Sequence, residues 1–169
     1  MIIQNVTNIL RITPSFWESL TSAISAELLW RRPAPSEWSA LECLQHLVDA
    51  ERFILPVRVR CFLTGENFSA FNPDREGSVG KSQPEPRELA ADFRQLRIAS
   101  LELLGTLSET DLSRRAVHSE LGAVTLEQML NEWPAHDLMH TVQAERAIMQ
   151  PFISECGPWQ VYFTDHWVG

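Results

Sequence analysis

Residues 131–143 have the sequence NEWPAHDLMHTVQ, in which His136 and His140 stand four positions apart. The capping pattern Thr125-Leu-Glu-Gln128 precedes this stretch, and residues recur after it at the three- and four-residue steps of a long amphipathic helix. On a helix, residues i and i+4 lie one above the other, with Cβ atoms about 5–6 Å apart. The two imidazoles can therefore converge on one metal ion. An open catalytic site usually has three protein ligands, so the pair needs a partner from elsewhere in the chain.

Pro134 lies inside this predicted fourth helix, just before the first histidine. Proline removes a backbone donor and costs about 3 kcal/mol in an unrelieved helix interior. Two interpretations stay open: the helix starts or restarts at Pro134, or it bends there and aims the histidines. Trp133 faces the same side as His136, which makes it either a core residue or a wall of a substrate cavity.

Two capping patterns predict the first two helices. Thr13-Pro14 combines an N-cap with proline at the first helical position. Ser39-Ala-Leu-Glu42 has the spacing of a capping box and opens a second helix that runs to about Cys61, with a kink at Pro56. Apolar residues at helical steps follow both caps, namely Trp17, Leu20, Ile24 and Leu28 in the first helix and Leu44, Leu47 and Phe53 in the second.

A third helix is predicted to begin near Pro86. Its core face carries Leu89, Phe93, Leu96, Ser100, Leu103 and Leu107, whereas Glu88, Asp92 and Arg97 are expected to face water. The segment from Gly65 to Pro86 is rich in glycine and proline and shows little periodicity, so it is the longest predicted loop. A further loop, from Arg114 to Gly122, precedes the fourth helix. Long loops in compact domains are often functional or mobile.

Together these patterns predict an all-α protein, a four-helix bundle with a long connection between helices 2 and 3. The 169 residues, 44% of them apolar, are enough to form one domain over positions 1–169 with a sizeable core. In such bundles, ligand sites are built from side chains that point inward from facing helices.

Composition excludes several classes of function. The net charge of −8 disfavours nucleic acid, because phosphate binding depends on clustered positive charge. The three cysteines, Cys43, Cys61 and Cys156, form no CxxC pair, which argues against a disulfide scaffold and a thiolate metal site. The N-terminus lacks a basic segment followed by a long apolar run, and no stretch is long enough to span a membrane. We therefore expect a soluble, cytoplasmic protein.

His46 is the candidate for the third metal ligand. It lies about two turns into the second predicted helix, beside the apolar positions Leu44 and Leu47, and so on the inward face. Taken alone, an imidazole there is more often a hydrogen-bonded core histidine. The HxxxH pair on another inward helix favours the metal role.

Several of these elements resemble the DinB/YfiT-like superfamily of metal-dependent four-helix-bundle proteins. They are Trp38-Ser39, Glu42, His46-Leu47, Leu121-Gly122 with the following Val-Thr-Leu-Glu-Gln, and His136-Asp-Leu-Met-His140-Thr-Val-Gln143. The resemblance runs over roughly Leu10 to Met149. It implies that His46, His136 and His140 bind a divalent metal ion, most often zinc or nickel. It also implies a link to enzymes that use a low-molecular-weight thiol, since the superfamily is similar to bacillithiol transferases and mycothiol-dependent isomerases.

Neighbours of the histidine pair are candidates for supporting roles. Glu132 lies one turn before His136 and is either a general base or a solvated residue at the helix edge. Gln143 lies nearly one turn after His140 and can hydrogen-bond a metal-binding ring. Asp137 points about 100° away from His136, so we expect it to be solvated or paired with an arginine on a neighbouring helix.

Other metal chemistries fit the sequence less well. A zincin protease would need HExxH, whereas this chain has aspartate after His136 and only His166 as a distant further ligand. A di-iron bundle would need repeated Glu-x-x-His, which is absent. His118 and His166 are most simply exposed, with a proton shuttle or a partner contact as the alternative.

Two classes of function stay open. The first is a metal-dependent enzyme, a hydrolase or a thiol S-transferase, that acts on an unknown small molecule at a three-histidine site with an open water position. The second is a non-catalytic metal-containing binding or stress-response module. An open coordination position would favour the enzyme, and a fourth side-chain ligand would favour the module. The surplus of tryptophan and the apolar tail Trp159-Gln-Val-Tyr-Phe163 also predict a homodimer.

Overall fold

The computed structural model describes residues 1–168, apart from the side chain of Asp74. The helices are α1 (Ile2–Ala23), α2 (Ala26–Trp30), α3 (Ala40–Asp49), α4 (Leu55–Thr64), α5 (Pro73–Glu76), α6 (Pro86–Leu104) and α7 (Leu126–Glu155), and a π-helical turn (Ala50–Ile54) joins α3 to α4. Two 3-10 segments (Glu109–Ser113 and Gly157–Tyr162) and two strands, β1 (Arg115–His118) and β2 (Gly122–Thr125), complete the described elements.

The bundle consists of α1, the continuous α3–α4 segment, α6 and α7. Within it, α1 packs on α6 and α7, and α3 packs on the same two helices. The predicted all-α four-helix bundle is therefore confirmed, and the long connection between the second and third bundle helices spans residues 65–85. The line of contact between α3 and α7 brings together the two helices that carry the candidate histidines.

The predicted start of the first helix at Thr13-Pro14 is wrong. Helix α1 begins at Ile2 and contains Pro14 in its interior. Proline cannot donate to the carbonyl four residues earlier, which here belongs to Leu10. That carbonyl instead accepts a hydrogen bond from Arg97 Nη1 of α6 at 2.9 Å. A partner on another helix thus satisfies the group that Pro14 leaves unpaired, and α1 continues through it.

The capping box predicted at Ser39 is confirmed. The Ser39 hydroxyl accepts from the Glu42 amide, and the Glu42 carboxylate accepts from the Ser39 amide. The irregularity predicted at Pro56 takes the form of the π-helical turn, in which the Leu55 amide donates to the carbonyl of Ala50, five residues back. Pro56 then lies in the first turn of α4, where its missing donor is tolerated.

The expectation that Arg97 faces water is also wrong, because Arg97 is 1% exposed. Its guanidinium donates to Glu51 of the π-helical turn (2.7 and 3.0 Å) and to Asp137 of α7 (2.7 and 3.0 Å). Thr13 Oγ1 also donates to Asp137, and Trp133 Nε1 donates to Glu51. Two buried carboxylates against one guanidinium leave a formal charge of −1. Of the two alternatives for Asp137, the paired one is correct.

The connection between α4 and α6 is tied to α3 beside His46. Asp49 accepts from the backbone and hydroxyl of Ser78 at 2.6 and 2.9 Å, and Gln45 donates to the carbonyl of Ser82. A Cβ at position 77 would lie 2.6 Å from the Pro73 carbonyl oxygen and 3.1 Å from Asp49 Oδ2, so this close approach requires Gly77. These contacts place the loop over one end of the α3–α7 interface.

The segment from Arg114 to Gly122, predicted as a loop, contains strand β1 and the turn of a hairpin whose second strand begins at Gly122. Strands β1 and β2 pair antiparallel, and Phe68 from the long connection bridges to His118. The Phe68 amide donates to Val117, and the Ser119 amide donates to the Phe68 carbonyl. The hairpin therefore holds the start of the long connection.

Beyond α7, Trp159 and Tyr162 of the terminal 3-10 segment are 65% and 77% exposed. They belong to the apolar tail from which a homodimer is predicted, and the homodimer stays a prediction. Within residues 1–168, none of the helices is long and apolar enough to cross a membrane.

Candidate metal centre

Helix α7 presents His136 and His140 on one face. The Thr125–Gln128 capping box is formed, and the helix is continuous from Leu126 to Glu155. Of the two interpretations of Pro134, a start or restart of the helix is therefore wrong. Because the turn that follows Pro134 is regular helix, the two rings meet edge to face, with their centroids 4.6 Å apart and their planes at 75°.

His46 of α3 completes a cluster of three rings. Its Nε2 lies 3.0 Å from His136 Nε2, and its ring centroid lies 4.7 Å from that of His140. One ring nitrogen from each histidine falls within 4.8 Å of the others. Among the described residues, no cysteine, aspartate or glutamate joins this group. The structure thus brings together the three histidines that the sequence suggested.

The cluster is held in the neutral form. Burial lowers the pKa of His46 to about 4, with a further contribution from His140. Burial also lowers the pKa of His136 to about 3, and the neighbouring histidines and the positive charges of Arg58 and Arg97 act in the same direction. For His140, burial again lowers the pKa, opposed by Gln143 and by the charge of Asp137. At pH 7 all three rings are unprotonated, the state in which imidazole binds a metal.

Gln143 orients His140. Its Oε1 lies 3.0 Å from His140 Nδ1, which assigns the proton of that ring to Nδ1 and leaves Nε2 as a free lone pair. The Nδ1 atoms of His46 and His136 are buried and have no hydrogen-bond partner among the described residues. Trp38 covers the cluster, with its ring stacked on His140 at 5.8 Å and tilted against His46 at 5.1 Å.

A cavity of about 240 Å³ opens beside the cluster. His46 and His136 line it together with Arg58 and Glu132, and the apolar part of its wall comes from Ala50, Ile54, Leu55, Phe71 and Pro73. Glu132 has accessible surface, yet the surrounding protein desolvates its carboxyl and so raises its pKa, while the positive charge of Arg58 opposes this rise. Glu132 is thus an exposed residue of the helix that also lines the cavity, and its role as a general base stays a prediction.

His118 lies in a second cavity of about 180 Å³, which shares Arg58 and Glu132 with the first. The expectation that His118 is exposed is wrong, since 7% of its surface is accessible. In the strand Arg115-Ala-Val-His118, alternate side chains face inward, so Ala116 and His118 are buried. The sequence indicates the burial of His118 only if this segment is predicted as a strand. His166 is exposed, as expected.

Trp133 lines neither of these cavities. It is completely buried, and its indole donates to Glu51. Of the two interpretations of Trp133, the core residue is therefore correct.

A family model described as the DinB superfamily matches residues 9–144. This chain belongs to the DinB superfamily. The part that matches the DinB superfamily contains all three clustered histidines, Glu132 and Gln143, and it ends before the exposed C-terminal tail.

Solved structures show the same fold. One is YfiT from Bacillus subtilis, described as a probable metal-dependent hydrolase with an unusual four-helix bundle topology. It aligns with a TM-score of 0.76 at 17% identity, over 86% of this chain and 85% of YfiT. A DinB-like protein of Bacillus subtilis, YjoA, aligns with a TM-score of 0.57 at 17% identity, over 85% of this chain and 90% of that protein. A search of curated protein sequences finds no significant match.

Proposed function

We propose that this protein is a metal-dependent hydrolase in which His46, His136 and His140 hold a divalent cation. The observation that carries the proposal is the convergence of three neutral imidazoles beside a cavity that also contains the Glu132 carboxylate. A fourth protein ligand would indicate a structural site, and no further histidine, cysteine, aspartate or glutamate of the described residues joins the cluster. The description of YfiT as a probable metal-dependent hydrolase supports the same reaction class.

The three residues fit such a cation. The Nε2 atoms of His46 and His136 lie 3.0 Å apart and converge with His140, so with the ring protons on Nδ1 their lone pairs would bind one cation together. Imidazole ligands suit zinc and nickel. The charge of the buried Asp137 favours a positive ion beside His140, whereas that of Arg97 opposes one beside His136. When bound, a divalent cation supplies Lewis acidity, which polarises a carbonyl and makes water a better nucleophile at neutral pH.

Glu132 is the proposed general base. Its carboxylate faces the same cavity as His136, so it can accept a proton from the attacking water and return it to the leaving group. Its raised pKa brings the carboxyl closer to neutral pH, where proton transfer in both directions is efficient. Gln143 and Trp38 are positioning residues, because they contact the histidine rings rather than the cavity.

Hydrolysis is favoured over thiol transfer because the cavity pairs the histidine cluster with a carboxylate base, which suits a water nucleophile. One assay distinguishes hydrolysis from thiol transfer. The loaded protein should hydrolyse an activated ester without a thiol, and a rate that requires an added thiol would contradict this assignment.

Glu132→Gln is expected to lower kcat for an activated ester by about 10²–10⁴-fold, the usual contribution of a general base, while the metal content stays unchanged. Because the base must be deprotonated and its pKa is raised, the wild-type rate should fall on acidification at a pH above 4.5. Glu145→Gln, an exposed change on the same helix, is the control and should retain activity. Equal rates for both variants would exclude Glu132 as the base.

Gln143→Leu is expected to weaken metal affinity by about 10–100-fold, since loss of the acceptor frees the His140 ring to rotate and lowers its basicity. Competition with a chromogenic chelator measures this directly. Gln95→Leu, an exposed change on α6, should bind like the wild type. An unchanged affinity for Gln143→Leu would show that the hydrogen bond has no part in orienting the ligand.

A further inference from the structure

The cavity around His118 has the construction of a binding site for an anionic group. Arg58, His118, Gln128 and Glu132 supply its polar groups, and Phe68, Leu121, Val124 and Met129 supply apolar walls. It adjoins the cavity at the histidine cluster, because Arg58 and Glu132 line both. The two cavities therefore lie side by side, on either side of Arg58 and Glu132.

Arg58 is a half-buried cation whose charge interacts with that of Glu132 across the cavity. Its guanidinium lies over the Phe68 ring at 5.2 Å and donates at 3.4 Å to the carbonyl of Ser69. It forms no ion pair with a described carboxylate, including that of Glu132, which shares both cavities with it. By contrast, Arg97 in the bundle interior binds two carboxylates. Because Glu132 does not form an ion pair with Arg58, the guanidinium keeps donors that an anionic ligand in the cavity could use.

His118 places a second donor beside Arg58. Its Nδ1 accepts from the backbone amides of Glu120 at 3.1 Å and Leu121 at 3.3 Å. A neutral ring that accepts at Nδ1 carries its proton on Nε2. That Nε2 lies 3.5 Å from Arg58 Nη2, so the imidazole N–H and the guanidinium N–H groups are neighbours. Two adjacent donors suit the two oxygens of one carboxylate.

We propose that Arg58 and His118 bind the carboxylate of the substrate. The apolar walls then hold a short hydrocarbon stem, and the bond to be cleaved extends towards the histidine cluster. This substrate class, a small carboxylic acid with a hydrolysable ester or amide, rests on the proposed hydrolase function. The nearby Glu132 favours a monoanion over a phosphate dianion, because like charges repel.

The test compares pentanoate with pentanamide, which have nearly the same shape but differ in charge. Binding is followed by NMR of methyl-labelled protein, at the methyl groups of Leu121, Val124 and Met129. In the wild type, pentanoate should bind at least about tenfold more tightly than pentanamide, the effect of a charged hydrogen-bonded pair. Arg58→Gln should abolish this preference. Arg60→Gln removes the same charge from an exposed site on the same helix and should preserve it.

Each result has a defined meaning. Equal affinities of pentanoate and pentanamide for the wild type, a comparison that needs no variant, would overturn the proposal. Pentanoate binding that survives Arg58→Gln but disappears with a chelator would also overturn it, since the carboxylate would then bind at the metal. Tighter binding of butyl phosphate than of pentanoate would overturn the carboxylate assignment. Metal content is measured on the same samples, so a preference for pentanoate in protein that binds no metal would refute the hydrolase and leave the carboxylate site supported.

Discussion

Replacing His46 with alanine is expected to reduce the metal content from about one equivalent per chain to near zero after dialysis. His46 is the only ligand that α3 contributes to the cluster, and His136 and His140 alone form a two-ligand site on one helix. Structural zinc sites with four ligands bind with about 10–16 kcal/mol, so one ligand is worth about 3 kcal/mol, or roughly 100-fold in affinity.

Elemental analysis of untagged protein measures the result. His166→Ala is the matched control, because His166 is exposed and lies outside the cluster, and this variant should retain the metal. His140→Ala should behave like His46→Ala. Near-stoichiometric metal in both cluster variants would refute the three-histidine site and, with it, the proposed hydrolase.

Arg97→Met is expected to lower the free energy of unfolding by about 3–5 kcal/mol, which is the cost of leaving buried charges without their partner. The change leaves the carboxylates of Glu51 and Asp137 without their charged partner, and these side chains are only 0% and 1% exposed. It also removes the donor that satisfies the Leu10 carbonyl opposite Pro14. Since domains are stable by only about 5–15 kcal/mol, this single change removes a large share of the total.

Urea denaturation monitored by circular dichroism measures the loss. The control is Arg94→Met, one turn away on the same helix, where the arginine pairs with Glu18 of α1 at the surface. An exposed ion pair is worth about 0–1 kcal/mol, so the control should unfold almost like the wild type. Similar losses for both variants would show that the buried network contributes no more than a surface pair.

Local sequence signals predicted most of the bundle. The capping boxes at Ser39 and Thr125 formed as expected, because each depends only on side chains and amides three residues apart. The spacing of His136 and His140 places both rings on one face for the same local reason. His46 could be suggested as their partner because it lies on the apolar face of its helix, which faces inward in a bundle.

The predictions that are wrong concern residues whose structure or burial depends on a partner far away in the sequence. Thr13-Pro14 has the local pattern of a helix start, yet Arg97 satisfies the carbonyl that Pro14 leaves free, and the helix continues. Arg97 itself looked like a solvated residue, because no local signal shows that two carboxylates from other elements will neutralise it. His118 is predicted to be exposed, but it is buried because its hairpin packs against the long connection.

The sequence by itself determined the helical periodicity, the helix caps and the placement of three histidines on inward faces. These are properties of neighbouring residues, and helix geometry converts them into structure directly. Only the tertiary structure decided that the three rings meet within 4.8 Å, that Arg58 and His118 share a cavity, and that a buried arginine joins two carboxylates. Those arrangements depend on how the helices pack against one another, and burial by distant residues sets the charge and protonation of the groups involved.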